Sequence, residues 1–201
     1  MEIIGPAELQ KLNVPFGLDT DAVPPHPFSD EVLARLGDEY LLVFTPRAAK
    51  DGNIITLAYL REKFGTDPAH SEPCMYNQDW YLNENFASKT ALDGGWHLLR
   101  KSVLEDARAQ APERIERGLP QGEQFPSAIT CAFTFFAWWL HTGGEKLWKN
   151  DFLWCSDKDH NGDRIYVGRY EDPAGINKNG FNIHRHLALR SFHSVAPEIC
   201  P

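Results

Sequence analysis

Two imidazoles two residues apart, His184 and His186 in NIHRHLALR, are the first feature of this chain that suggests chemistry. On a strand, residues i and i+2 project from the same face, so both rings look out together with Asn182 and Arg190. Ile183, Leu187 and Leu189 then point the other way, the pattern of a half-buried sheet. Paired strand histidines hold zinc, iron or manganese when a third ligand comes from elsewhere in the fold. An Asp or Glu beside such a metal would act as general base on its bound water, and the protein would be a metal-dependent hydrolase or a related enzyme. Without a metal, the same face is a row of donors. His184, His186, Asn182 and Arg190, joined by Arg169, Asn177, Asn179 and Arg185, would bind a small polar ligand such as a sugar or a nucleotide-like molecule. A third alternative is a structural or interaction protein whose polar strand face meets solvent or a second subunit.

A second metal alternative comes from DKDHNGD. Asp157, Asp159 and Asn161 stand at the first, third and fifth positions of a calcium-type loop, with Gly162 permitting the turn. A full EF-hand is excluded, because the ninth position is Ile165 and the twelfth, which must be a bidentate Glu, is Gly168. The competing expectation is a plain hairpin turning at Asn161-Gly162. That register sets His160 opposite Asp163, Asp159 opposite Arg164 and Asp157 opposite Tyr166. The two expectations differ in where the acids point: onto one ion, or with Asp159 beside a guanidinium.

Other chemistries lack their signatures. Cys155 lies near acids, which disfavours a thiolate, and no serine sits in a GxSxG elbow. No GxGxxG or Walker loop occurs, so nucleotide binding by those routes has no support.

The elements that must present these residues follow from pattern. Ser127 precedes AITCAFTFFAWWLHT and reads as the cap of a helix apolar on every side, which belongs in the middle of a core. The run is shorter than the roughly 20 residues a membrane-spanning helix needs. EYLLVFT, bounded by Gly37-Asp38 and Pro46, suits a buried strand, and ITLAYLREKFG places Leu57, Leu60 and Phe64 at helical spacing. CMYNQDWYLNENFA is expected as an amphipathic helix, with its rings in the core. Ser102 with Glu105 fits a capping box at the start of a charged helical stretch that Pro112 divides. Pro24, Pro25 and Pro27 interrupt the first 28 residues, which are expected to form an N-terminal arm laid over one globular domain, 29–201. The fold class is α+β: the apolar helix packed against a C-terminal antiparallel meander over residues 151–192.

Composition narrows the partners. The 201 residues, 42% of them hydrophobic and 24% charged, are ordinary for a folded domain. Twenty-eight acidic against 20 basic residues give a formal charge of -8, which repels polyanions and disfavours duplex nucleic acid and anionic membrane surfaces. Four cysteines with no CxxC pair, and a start (MEIIGPAELQKL) that does not resemble a secretory leader, point to reduced thiols and a cytoplasmic setting.

Overall fold

The computed structural model describes residues 1–21, 23–67, 72–169, 180–185 and 188–201. His186, Asn177 and Asn179 lie outside the described residues, so the structure gives no placement for them. In chain order the strands are β1 (Glu2–Ile4), β2 (Tyr40–Phe44), β3 (Trp96–Arg100), β4 (Glu123–Gln124), β5 (Phe152–Lys158), β6 (Arg164–Gly168), β7 (Asn182–Arg185), β8 (His193–Ser194) and β9 (Glu198–Ile199). The helices are α1 (Pro6–Leu9), α2 (Asp30–Leu36), α3 (Leu57–Phe64), α4 (Asn85–Ser88), α5 (Pro112–Gly118) and α6 (Ala128–Thr142). The fold is α+β, with the strands in two mixed sheets, ordered β1-β2-β3-β9-β4 and β7-β6-β5-β8.

Helix α6 is the apolar rod that the sequence implies. Ser127 Oγ accepts from the Thr130 amide at 3.2 Å and fixes its start. Gly143, left-handed at φ 73°, ends it by donating to Trp139 O. Between these caps every side chain from Ala128 to Trp138 is buried. Phe136 packs on Phe64 of α3 at a ring separation of 4.4 Å, and Phe135 packs on Phe181 at 4.9 Å. Leu153, Cys155, Ile165, Val167 and Ile183 of β5–β7 share this core with Ile4, Leu41 and Val43 of the other sheet. Each such large side chain removed from water contributes about 1.5–3 kcal/mol, enough to hold both sheets on one helix.

Three local expectations change in the folded chain. Residues 2–4 form an edge strand parallel to β2, and Ile4, Leu9 and Leu18 enter the main core, so the segment expected as an arm supplies sheet and core. Residues 74–87 form no long helix; only α4 is helical. Instead the segment runs beside β7, where Tyr76 N donates to Phe181 O at 2.8 Å and Trp80 Nε1 to Ile183 O at 3.2 Å. Satisfying the open carbonyls of a strand edge outweighs the helical propensity of the segment. In the second sheet, β5, β6 and β7 form the expected antiparallel meander, but β8 joins the other edge of β5 in parallel. Among the described residues, no helix is long and apolar enough to cross a membrane.

Candidate functional site

The meander presents two faces. Leu153, Cys155, Ile165, Val167 and Ile183 point to α6, so the alternate residues Phe152, Trp154, Tyr166, Asn182 and His184 face outward. Much of that outer face is covered. Trp154 is fully buried against a second apolar cluster that includes Ala107, Ile115, Phe125 and Val195, with Tyr166 at its margin. Gly168 allows β6 to press on β5, because a Cβ there would lie 2.2 Å from Asp151 O.

What remains open is a platform of rings. His184 stands opposite Tyr166 in the β6–β7 register, and their rings stack 5.2 Å apart at 29°. Both are half-buried. Phe152 sits edge-on to Tyr166 at 5.7 Å and tilted against His184 at 5.5 Å, while Phe192 packs on Phe152 at 5.3 Å. His193, buried beneath, lies 4.4 Å from the Tyr166 ring and accepts the Arg190 amide on Nδ1 at 3.0 Å. Burial pushes the His184 imidazole below its usual 6.5, so it is neutral near pH 7 with one donor and one acceptor nitrogen. Burial likewise pushes the Tyr166 phenol up.

The other expected donors are placed differently. Arg169 is buried, stacked over Trp139 at 4.9 Å and held by Glu72 through two bonds of 2.6 and 2.9 Å. Asn182 is buried, and its side-chain amide donates to Gly180 O at 3.0 Å. Arg185 leans away over Trp80 at 5.4 Å and reaches Asp159 Oδ2 at 3.4 Å. Arg190 is exposed, three residues before His193, whose ring accepts its backbone amide. The structure therefore leaves His184 half-buried on the outer face and Arg190 exposed, its backbone bonded to His193, and commits Arg169 and Asn182 elsewhere.

The acidic loop closes on itself. Strand pairing stops at Lys158 opposite Arg164, after an irregularity between Trp154 and Lys158, so the two-residue turn and its cross-strand pairs do not form. Asp159 instead accepts the amides of Asn161 and Asp163 on Oδ1, each at 2.9 Å, and Gly162 turns at φ 87°. The hairpin itself forms with a wider turn, closed by the Asp159 amide donating to Asp163 O at 3.0 Å, and the Asp159 carboxylate braces that turn from within. The expected guanidinium neighbour is present, but it is Arg185; Arg164 is buried and pairs with Glu116 at 2.6 Å. Asp157 turns to the start of α6, where Oδ2 accepts the Ala128 amide at 2.6 Å. Asp157 and Asp159 thus serve different partners and do not converge as calcium ligands would.

Among the described residues, one group gathers potential cation ligands: Glu84, Asp159 and His160, whose ligand atoms lie within 4.8 Å of one another. These groups already satisfy one another. Glu84 accepts the His160 amide at 3.1 Å and meets Nδ1 of the same residue at 2.5 Å, while Asp159 holds its two amides and Arg185. The donor set fits a brace between residue 84 and the 159–163 loop better than a metal centre.

A second polar constellation lies in the other sheet. His97 Nδ1 meets Glu198 Oε1 at 2.5 Å, and Nε2 lies 3.0 Å from both Thr45 Oγ1 and Asp93 Oδ1. Burial pushes this imidazole down, but the bonds and charges of Asp93 and Glu198 outweigh it and raise the pKa to about 9. The His97 bond and charge hold Asp93 at about 2. A buried imidazolium with both nitrogens engaged has no free site for a proton at neutral pH, so the group acts as a cross-sheet tie and not as a general base.

Sequence reasoning missed the aromatic side of the platform. Phe152, Trp154 and Tyr166 fall on alternate strand positions, and that period-2 pattern was the available signal. Comparison with protein-family models, curated proteins and solved structures finds no match to this chain.

Proposed function

We propose that this protein binds a small polar ligand with a flat or ring-shaped face, a sugar or a nucleoside-like molecule, over the Tyr166–His184 pair. The observation that carries the reading is this half-buried ring stack on paired strands, backed by Phe152, with exposed Arg190 bonded through its backbone to His193 beneath the stack. Aromatic faces take the apolar side of such ligands, while a few polar groups fix their orientation. Here the Tyr166 hydroxyl and the neutral His184 ring supply donors and acceptors, and Arg190 supplies a cation for an anionic substituent. Support for a small ligand over a polyanion comes from the net charge of -8.

Ligand-observed NMR with a panel of monosaccharides and nucleosides, repeated on Tyr166→Ala and His184→Ala, tests this reading. Saturable binding that weakens about tenfold or more in each variant is expected, the loss of one good stacking or hydrogen-bonding partner. Binding that survives both substitutions, or a panel with no saturable member, removes the platform as the site.

A further inference from the structure

Away from the ring platform, a cleft of about 380 Å³ opens between the 3-10 turn Glu105–Ala107, helix α5 and residues Arg100 and Glu123. The volume falls within the range of about 300–1,000 Å³ typical of small-molecule sites. Leu104, Ala107, Ile115 and Leu119 line it and also pack with Phe125, Trp154 and Val195, so its apolar floor is anchored in a core cluster.

Four charged side chains complete the lining: Arg100, Arg114, Asp106 and Glu123. Among the described residues, the side chains of Arg114 and Asp106 make no hydrogen bond or ion pair, whereas Glu123 lies close enough to Arg100 to feel its charge. Arg100 reaches Glu39 at 3.4 Å and Ser102 at 3.5 Å, both long for hydrogen bonds. Arg100 also meets the Tyr40 hydroxyl and acts on Glu123, so the cleft offers two cations and two anions of which Arg114 and Asp106 are the uncommitted ones. A ligand of one sign would be attracted by one pair and repelled by the other. A ligand carrying both signs beside an apolar body meets complementary charge throughout.

We propose that this cleft binds a free L-amino acid with an apolar side chain, its carboxylate on Arg114 and Arg100, its ammonium on Glu123 and Asp106, and its side chain on Leu104, Ile115 and Leu119. Guanidinium suits the planar carboxylate, and the two carboxylates suit the three-donor ammonium. The site is independent of the Tyr166–His184 platform and does not rest on it.

Calorimetry and saturation-transfer NMR on the full chain test the proposal with L-leucine and L-phenylalanine, compared with N-acetyl-L-leucine, L-leucinamide and hexanoate. Saturable binding of at least one free amino acid is expected with a Kd of about 1 mM or tighter. Blocking either charged end of the ligand should weaken it by about tenfold or more, as should Arg114→Ala and Glu123→Gln, while His184→Ala leaves it unchanged. Arg114 is exposed, so its variant should fold, and circular dichroism checks this. If Glu123→Gln disturbs the fold, Arg114→Ala and the blocked ligands decide alone. No saturable binding of either amino acid, equal affinity for the blocked forms, preference for hexanoate, or an unaffected Arg114→Ala variant would each overturn the proposal.

Discussion

His97 Nδ1 lies 2.5 Å from Glu198 Oε1, a bond that ties β3 to its antiparallel neighbour β9 inside the sheet that carries neither the ring platform nor the acidic loop. Both side chains are nearly enclosed, and Asp93 closes the other side of the imidazole at 3.0 Å. This charge cluster gives the fold one of its pH-dependent contributions.

The folded His97 titrates near 9 against an ordinary value of 6.5, so its contribution is fully present below pH 6.5 and is lost as pH rises through 9. The difference amounts to about 3 kcal/mol across that window. Urea unfolding at closely spaced pH values should show this decline, and His97→Gln should remove most of it. A wild-type stability that stays flat across the window would refute the buried imidazolium.

Asp159 is predicted to be the structural acid of the 159–163 loop. Its side chain is fully enclosed and accepts two loop amides, so Asp159→Ala strands both donors and should cost about 2–3 kcal/mol. Burial raises this carboxyl, but the amides of Asp163 and Asn161 outweigh it and leave its pKa lowered. Its contribution therefore holds above the ordinary value of 3.8 and fades on acidification below it. Thermal melts of wild type and variant at neutral and acid pH measure both effects; equal melting temperatures at neutral pH would show that the loop does not depend on this residue.

Helix α6 has two acceptors at its start, Ser127 for the Thr130 amide and Asp157 for the Ala128 amide. Ser127→Ala and Asp157→Ala should each cost about 1–2 kcal/mol in denaturant titrations. Burial raises the Asp157 carboxyl above its ordinary value, so the charge itself adds little, and Asp157→Asn, which keeps an acceptor oxygen for the Ala128 amide, should be milder than Asp157→Ala. An Asn variant as damaging as the Ala variant would contradict that account.

The ring platform makes a prediction that needs no ligand. His184 should titrate below its ordinary 6.5, because packing against Tyr166 and Phe152 removes water from the charged form. Histidine ring NMR, assigned with His184→Gln, reads the midpoint. Opening the stack with Tyr166→Ala should move that midpoint upward. A wild-type midpoint at 6.5 or above would mean that the ring is solvated and the stack is loose.

The amino-acid sequence alone determined the elements whose signals are local and strong. The apolar period of residues 128–142 with its Ser127 cap specified α6, EYLLVFT specified β2, and the alternation around Ile183 and His184 specified β7. The outward placement of His184 also follows from alternation along that strand. Tertiary structure decided the rest, since partners distant in sequence set each outcome. Asn161-Gly162 reads as a tight turn until Asp159 offers its carboxylate to the loop amides, and residues 74–87 read as a helix until the edge of β7 offers carbonyls to fill. Arg169 looks like a ligand donor from composition, yet Glu72, 97 positions away, pairs with it and leaves the guanidinium buried. Spacing along a chain fixes which face a side chain takes; which group waits on that face is a matter of long-range packing, where desolvation forces every buried charge to find its complement.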